Sequence, residues 1–182
     1  MNNIEILSKE MSWLEGVIEN RIFSYIEDDI KFLDSKRDFD IKGSFYGDFI
    51  ERYKLNIDEQ NILALSIAIH IAPNILDLFL LKNTLYDLPF TEFGGVVDNK
   101  TSHGFTPTIQ TALFLLSGDD KKKYLETLPL FDNQNRLFKK DIIAQNETKS
   151  NILHHQLSLS QNALSLILYG KDIRSEERRV GK

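Results

Sequence analysis

The stretch "LNIDEQNILALSIAIHIAPNILDLFLLKN", residues 55–83, decides the fold because it is too apolar to lie on a protein surface. Asn56 is placed to cap the first amides of a helix, and Glu59, three positions later, supplies the carboxylate of a capping box. The following residues leave almost no polar face, so this helix is predicted to lie at the centre of the domain. Pro73 cannot continue it and suits the first turn of a second buried helix, predicted over Asn74–Lys82.

The amino-terminal part of the chain predicts a long amphipathic helix over residues 4–33. Apolar residues recur at three- and four-residue steps from Ile4 to Ile30, which is the spacing of one helix face. Residues 34–45 break this period and predict a linker to a core over residues 46–171. We expect the apolar stripe to pack on its own domain, and a seam for another chain is the alternative.

Residues 90–118 combine a turn-rich loop with an apolar helix, a combination also found in phosphate-binding loops. Such a loop needs a Gly-Lys pair followed by Ser or Thr, whereas Gly104 is followed by Phe105. The glycine pair Gly94–Gly95 and the β-branched pair Val96–Val97 instead predict a short β-hairpin, or wing.

Local signals divide the rest of the chain into short elements. Thr106 or Thr108 is predicted to cap the next helix, Gly118 to end it, and Asp119 to cap another. Residues 136–145 and 154–160 predict strands, and residues 160–171 predict a last helix that ends at Gly170. The sequence therefore predicts an α+β, mainly α, winged-helix-like domain with a small β-hairpin and a long amino-terminal helix.

The composition excludes several classes of function. The 182-residue chain has no cysteine, which rules out disulfides, thiolate nucleophiles and cysteine-ligated zinc. Its net charge of −5 gives no global attraction to nucleic acid or anionic lipid. The chain has neither a secretory signal nor an apolar run of the roughly 18 residues that a membrane span needs. We therefore expect a cytoplasmic protein that binds neither nucleic acid nor membrane.

The sequence nominates no catalytic residue, no cofactor-binding residue and no metal ligand. His70 lies inside the most apolar helix, and His154 and His155 would point to opposite faces of a strand. His103 lies in the wing with only Asp98 near it in sequence. The acid pairs at residues 28–29 and 119–120 are interpreted as helix-end residues, and no Gly-x-Ser-x-Gly elbow occurs.

The wing is the candidate surface for a protein partner, because exposed turn-rich loops often carry recognition. Its single lysine is too little for the phosphate contacts that DNA binding needs. The residues predicted to bind the partner are Val96, Val97, Asp98, Asn99, Lys100, Thr101, Ser102 and His103.

Three phrases in this order, "LALSIAIHIAPNILDLFLLKN", "FTEFGG" and "HGFTPTIQTALFLLSGDD", resemble the amino-terminal domain of a group of bacterial AAA+ family ATPases, found especially in Bacteroidetes-type bacteria. The resemblance covers residues 5–171 and includes no catalytic motif. It implies a winged-helix-like domain placed before an ATPase module, and some relatives resemble ATPases encoded beside contractile injection systems. The nucleotide-binding residues of that family lie in the module that should follow, so none of them has a counterpart here.

The resemblance implies a noncatalytic recognition or regulatory domain that works through protein contacts, including contacts with the missing ATPase module. ATP and magnesium are expected only in that module, so this chain should have no cofactor and no ATPase activity of its own. Two alternatives remain open from the residues alone. One is a DNA-binding winged helix, and the other is a small hydrolase whose site is assembled only in space.

Residues 172–182 are predicted to form a non-native or disordered tail. The last nine residues, "RSEERRVGK", have four basic side chains and one apolar one, and they resemble a translated sequencing adapter. Gly181 and Lys182 are therefore not interpreted as the start of a phosphate-binding loop.

Sequencing the gene past the codon for Lys171 tests this interpretation of the tail. We expect an open reading frame that soon encodes an apolar strand followed by Gly-x-x-x-x-Gly-Lys and Ser or Thr. A natural stop codon close to Lys171 would refute both the truncation and the domain order that the resemblance implies.

Overall fold

The computed structural model describes residues 2–97, 104–145 and 151–174, and its architecture is α+β, mainly α, as predicted. The α-helices are α1 (Asn3–Ile26), α2 (Phe45–Tyr53), α3 (Ile57–Ile71), α4 (Ile109–Ser117), α5 (Lys121–Thr127), α6 (Arg136–Lys139) and α7 (Gln161–Tyr169). In the described part of the chain, four two-residue strands form two antiparallel hairpins: β1 (Lys82–Asn83) with β2 (Leu88–Pro89), and β3 (Val96–Val97) with β4 (Phe105–Thr106). Short 3-10 helices span Pro73–Leu80, Thr91–Phe93, Leu128–Phe131 and Ile152–His154.

Helix α3 lies at the centre and begins at the predicted capping box. The Asn56 amide donates to Glu59 Oε2, and the Glu59 amide donates to Asn56 Oδ1, both at 2.9 Å. Residues 62–68 are all buried, because α1, α4 and the 3-10 helix Pro73–Leu80 pack around them. The expectation of a central helix is thus confirmed.

The buried carboxylate of Glu59 also joins α3 to the beginning of α6. Its Oε1 atom accepts a hydrogen bond from Asn135 Nδ2 at 3.3 Å and lies 3.2 Å from Arg136 Nε. The Glu59 side chain therefore caps α3 and also finds partners for its negative charge in Asn135 and Arg136. A buried carboxylate needs such partners.

The corner at Pro73 is confirmed, but the second helix is of the 3-10 type and ends at Leu80 instead of Lys82. It is bent by 106° from α3. In a 3-10 helix residues three apart lie on one face, which places Leu76 and Phe79 together in the core. Within the described residues no single helix is long and apolar enough to cross a membrane, and only this bent pair reaches that length and composition.

Helix α1 is shorter than the predicted 4–33, because it ends at Ile26 with Glu27 as its C-cap. Three acidic residues follow there, and negative charge at a helix C-terminus opposes the helix dipole. Ile30 and Leu33, which prolonged the apolar period in the sequence, therefore lie beyond the helix, and Leu33 is exposed.

Residues 27–43 form a return segment that runs back along α1, where the sequence predicted a longer helix and then a linker. The Leu33 amide donates to Asn20 Oδ1 at 2.8 Å. Trp13 Nε1 then donates to the Ser35 carbonyl at 2.9 Å. Because these contacts move toward the amino terminus of α1 as the chain advances, the segment brings α2 beside the first turn of α1, where the Tyr46 amide donates to Asn3 Oδ1.

A buried ionic cluster holds the return segment in place. Glu10 is fully buried and accepts hydrogen bonds from Arg37 Nη2 at 2.6 Å, from Arg37 Nε at 2.8 Å and from the Tyr46 hydroxyl at 2.7 Å. The Arg37 guanidinium also lies 3.8 Å from the centre of a Trp13 ring. Burial acts to lower the pKa of Arg37, but its bonds to Glu10 outweigh burial and raise it. Burial, with the Glu10 charge, raises the pKa of Tyr46 well above its usual value.

Helix α4 confirms two local predictions, its cap at one of the two candidate threonines and its end at Gly118. Thr108 caps it in a capping box, and Gly118 ends it with φ of +57°. Arg21 of α1 donates to the last carbonyls of α4, at 2.9 Å to Leu115 and 3.2 Å to Leu116. A Cβ atom on Gly118 would lie 2.7 Å from Arg21 Nη1. Glycine is therefore needed both for the positive φ of the turn and to leave room for the Arg21 side chain. Burial lowers the pKa of Arg21 to about 10, although the negative charges of Asp119 and Asp34 act to raise it.

The carboxyl-terminal half departs from prediction in two places. Asp120, not Asp119, caps α5, since its carboxylate accepts from the amides of Lys122 and Lys123. The strands predicted over residues 136–145 and 154–160 are reduced to the isolated bridges Thr108↔Gln156 and Ile143↔Leu159. The first of these two segments instead begins with α6, whose N-cap is Asn135. The last helix ends at Gly170, as predicted.

Three residues of the predicted tail contact the body of the domain. The Ile173 amide donates to Asn162 Oδ1 at 3.0 Å. Arg174 forms an ion pair with Asp141, and Asp172 Oδ2 lies 3.5 Å from Arg52 Nη2. Residues 175–182 lie outside the described residues.

We predict that Arg37→Ala destabilises the protein by about 3 to 5 kcal/mol, because it leaves the buried Glu10 carboxylate without its cation. The matched control is Lys36→Ala, an exposed neighbour, which should change stability by less than about 0.5 kcal/mol. Urea unfolding followed by circular dichroism measures both. Equal unfolding midpoints for the two variants would contradict the assigned role of the cluster.

Candidate functional site

The first hairpin, β1–β2, projects directly after the central helices. Lys82 pairs with Pro89 and Asn83 with Leu88, so residues 84–87 form the turn. Asn83 Oδ1 accepts from the Leu85 amide at 2.9 Å, and Asp87 adopts φ of +51°, a conformation that aspartate tolerates. Asn83 and Asp87 therefore favour the backbone conformation of this turn.

The tip of this hairpin exposes large apolar side chains. Leu85 is 77% exposed, Tyr86 67% and Leu88 61%. Leu80 and Leu81, at the base of β1, are also exposed. We call Leu85, Tyr86 and Leu88 the apolar tip. Grouped exposed apolar side chains of this kind are typical of binding surfaces.

An aromatic cluster anchors the bases of both hairpins. The Phe79 and Phe105 rings stack with centroids 5.1 Å apart, and Phe93 lies 4.8 Å from Phe114. Tyr25 of α1 meets Phe114 edge-on at 5.2 Å. Because Phe79 precedes the first hairpin and Phe105 belongs to the second, one cluster orients both.

Tyr25 is the titratable member of this cluster, whose other rings are phenylalanines. Burial raises the pKa of Tyr25 to about 12, and its hydrogen bond and charge contact with Glu92 act in the same direction. The Tyr25 phenol is protonated at neutral pH and donates this hydrogen bond to Glu92, which lies in the segment that joins the two hairpins.

The second hairpin lies where the wing was predicted. Val96 pairs with Thr106 and Val97 with Phe105, and the two valines are 36% and 42% exposed. The other predicted partner-binding residues, Asp98, Asn99, Lys100, Thr101, Ser102 and His103, lie outside the described residues. The described part of the wing thus offers two exposed β-branched side chains, and its base packs on Phe79, which lies just before the first hairpin.

Gly95 fixes the start of the second hairpin. Its φ is +84°, and a Cβ atom there would lie 2.1 Å from Phe105 Cζ. Its amide donates to Thr108 Oγ1 at 3.1 Å, which ties the hairpin to the N-cap of α4. Both glycines therefore serve a backbone turn, as predicted, and Gly95 also packs closely against the Phe105 ring.

Among the described residues, the histidines and acid pairs do not form a common site. His70 is exposed at the end of α3, where partial burial lowers its pKa, and His154 ends a 3-10 helix instead of lying on a strand. The His155 carbonyl accepts from the Ile109 amide at 2.9 Å. Within residues 2–97, 104–145 and 151–174, no group of three or more His, Asp or Glu side chains is placed to hold a metal ion.

The apolar tip is the feature that the sequence analysis missed. The signal was present in "KNTLYDLP", where Asn83 and Asp87 flank Leu85 and Tyr86 in a pattern that turn-forming residues favour. The helix predicted as far as Lys82 took in the first residue of β1, so the pairing of β1 with β2 was not recognised.

Comparisons of this chain with protein-family models, with curated proteins and with solved structures found no match.

We predict that Gly95→Ala destabilises the protein by at least about 2 kcal/mol, because alanine is strained at positive φ and its methyl group would overlap the Phe105 ring. Gly16→Ala is the matched control: Gly16 lies within α1 with open space around it, so that variant should gain about 0.5 to 1 kcal/mol. Thermal and urea unfolding measure both. A neutral Gly95→Ala would show that the hairpin base is loosely packed.

Proposed function

We propose that the chain is a noncatalytic recognition domain that binds another protein through the apolar tip of its first hairpin, with the second hairpin beside it. The observation that carries this proposal is the exposure of Leu85, Tyr86 and Leu88 on a hairpin with a packed aromatic base. Burying these side chains against a partner would remove apolar surface from water, at roughly 25 cal/mol per Å².

The packing at the base favours tight binding. Binding costs free energy when loops and side chains must be ordered, and an anchored hairpin reduces that cost. The tip also includes a tyrosine, a residue type enriched among the side chains that dominate interface energies. Tyr86 is therefore the expected anchor, with Leu85 and Leu88 around it.

The wider assignment is to the amino-terminal, winged-helix-like domain of a cytoplasmic AAA+ ATPase. Its support is the resemblance carried by residues 5–171, in which such a domain precedes the ATPase module. In this proposal the domain selects a protein partner, and the module that follows supplies ATP and magnesium chemistry. The chain itself then neither binds nor hydrolyses ATP.

Two features support a protein partner over DNA. A winged helix that binds DNA presents a polar recognition helix to the major groove, whereas α3 and α4 are enclosed by the core. Among the described residues of the two hairpins, Lys82 is the only basic side chain, and it lies 3.4 Å from Asp87. Phosphate contacts need several free cations.

We predict that the wild-type chain captures a discrete protein from a lysate of its source cells, and that Leu85→Asp abolishes capture by placing a charge in the apolar contact. Leu125→Asp is the matched control, since Leu125 is equally apolar and is exposed on α5. Deleting residues 96–103 should also abolish capture while leaving the helical circular dichroism signal intact.

Capture that survives Leu85→Asp would refute the role of the apolar tip. A shift of duplex DNA at physiological salt, weakening steeply as salt rises, would favour the DNA-binding alternative instead.

A further inference from the structure

A second apolar surface lies away from the hairpins, along the first half of α1. It is a groove of about 670 Å³ between α1, the corner that joins α3 to the 3-10 helix Pro73–Leu80, and the end of α7. We call it the α1 groove. Its volume lies within the range of ligand pockets.

The floor of the α1 groove is apolar and fixed by the core. Leu7, Met11 and Ile75 line it and are almost fully buried in the domain. Ile4, which is 79% exposed, and Tyr169, which is 64% exposed, stand at its edge. The exposed apolar edges lose contact with water only when something occupies the groove.

One side of the groove is polar and has no partner within the protein. Ser8, Ser12 and Glu15 follow one another at helical spacing beside the apolar stripe. Within the described residues, none of these three side chains makes a hydrogen bond or an ion pair. Glu15 is half-buried and is the only charged residue among the described residues that line the groove. The groove therefore presents one unneutralised negative charge next to an apolar floor.

The dimensions fit a helix better than a compact ligand. From Ile4 to Glu15 the groove follows α1 for about 16 Å, at 1.5 Å per residue, which equals about three helical turns. Apolar side chains spaced at i, i+3, i+4 and i+7 on a docked helix match a groove of this length.

We infer that the α1 groove binds an amphipathic helix of a partner protein, with the apolar face of that helix on Leu7, Met11 and Ile75 and with a lysine or arginine beside Glu15. A cation is required because a half-buried carboxylate covered by apolar side chains would otherwise lose its water without compensation. The inference goes beyond the proposed function, because it concerns a different surface and a helical ligand.

Selection of helical peptides tests the inference on the full chain. The probes are peptides of about 14 residues, randomised at the positions of one helix face and displayed on phage. The affinity of the selected peptides is then measured by fluorescence anisotropy on wild type, Ile4→Glu and Glu15→Lys, two changes at solvent-accessible sites of α1. Leu125→Glu is the surface control, and Leu85→Asp separates this site from the apolar tip.

We expect the selected peptides to combine an apolar stripe with a lysine or arginine. Ile4→Glu should weaken their binding about tenfold or more. Glu15→Lys should weaken it about fivefold at low salt, with a smaller effect as salt rises. Leu85→Asp and Leu125→Glu should leave the affinity unchanged.

Three results would overturn the inference. The first is a selection that yields no peptide sensitive to Ile4→Glu. The second is peptide binding that is lost in Leu85→Asp alone, which would support the proposed function and refute the groove. The third is a dimer, seen in sedimentation velocity, that Ile4→Glu dissociates, because a second copy of the chain would then be the occupant.

Discussion

The structure depends on one constraint: α3 has no polar face and must be covered on every side. Residues 62–68 are buried without a gap, so other elements have to pack around them. Three helices cover α3, namely α1, α4 and the 3-10 helix that begins at Pro73, and the remaining elements pack on these. Because the core is filled by helices, the strands of the described residues are confined to two small hairpins at its edge.

Buried charges join the elements that surround α3. Glu10 holds the return segment and α2 on α1, Glu59 holds α6 on α3, and Arg21 joins α1 to the end of α4. Each charge is satisfied by partners from a different part of the chain, so a non-native arrangement would leave a charge buried and unpaired. These contacts specify the arrangement of helices whose apolar surfaces alone would pack in several ways. The aromatic cluster joins both hairpins to these helices and so positions the candidate binding surface.

Features determined by neighbouring residues could be predicted from the sequence. The capping box of α3, the Thr108 cap, the stop at Gly118 and the second hairpin all depend on residues a few positions apart. The sequence analysis failed where distant contacts decide. Nothing near Leu33 in sequence indicates that its amide binds Asn20. The apolar period was therefore extended past the end of α1, although the three acidic residues 27–29 are a local signal for that end. Likewise, residues 136–145 alternate like a strand, but Asn135 and the buried Glu59 set up a helical turn there. The apolar tip was missed because no hairpin was predicted after the helix, which ends two residues before its predicted end at Lys82.

Hydrogen exchange followed by mass spectrometry tests the central claim most directly, because it measures the stability of each element in the intact protein. If α3 is the enclosed centre, its amides exchange only through global unfolding, with a free energy equal to that from urea denaturation, while the amides of β1–β2 exchange much faster. Exchange of α3 at the rate of the first hairpin would contradict the account, since it would mean that the core opens without the rest of the fold.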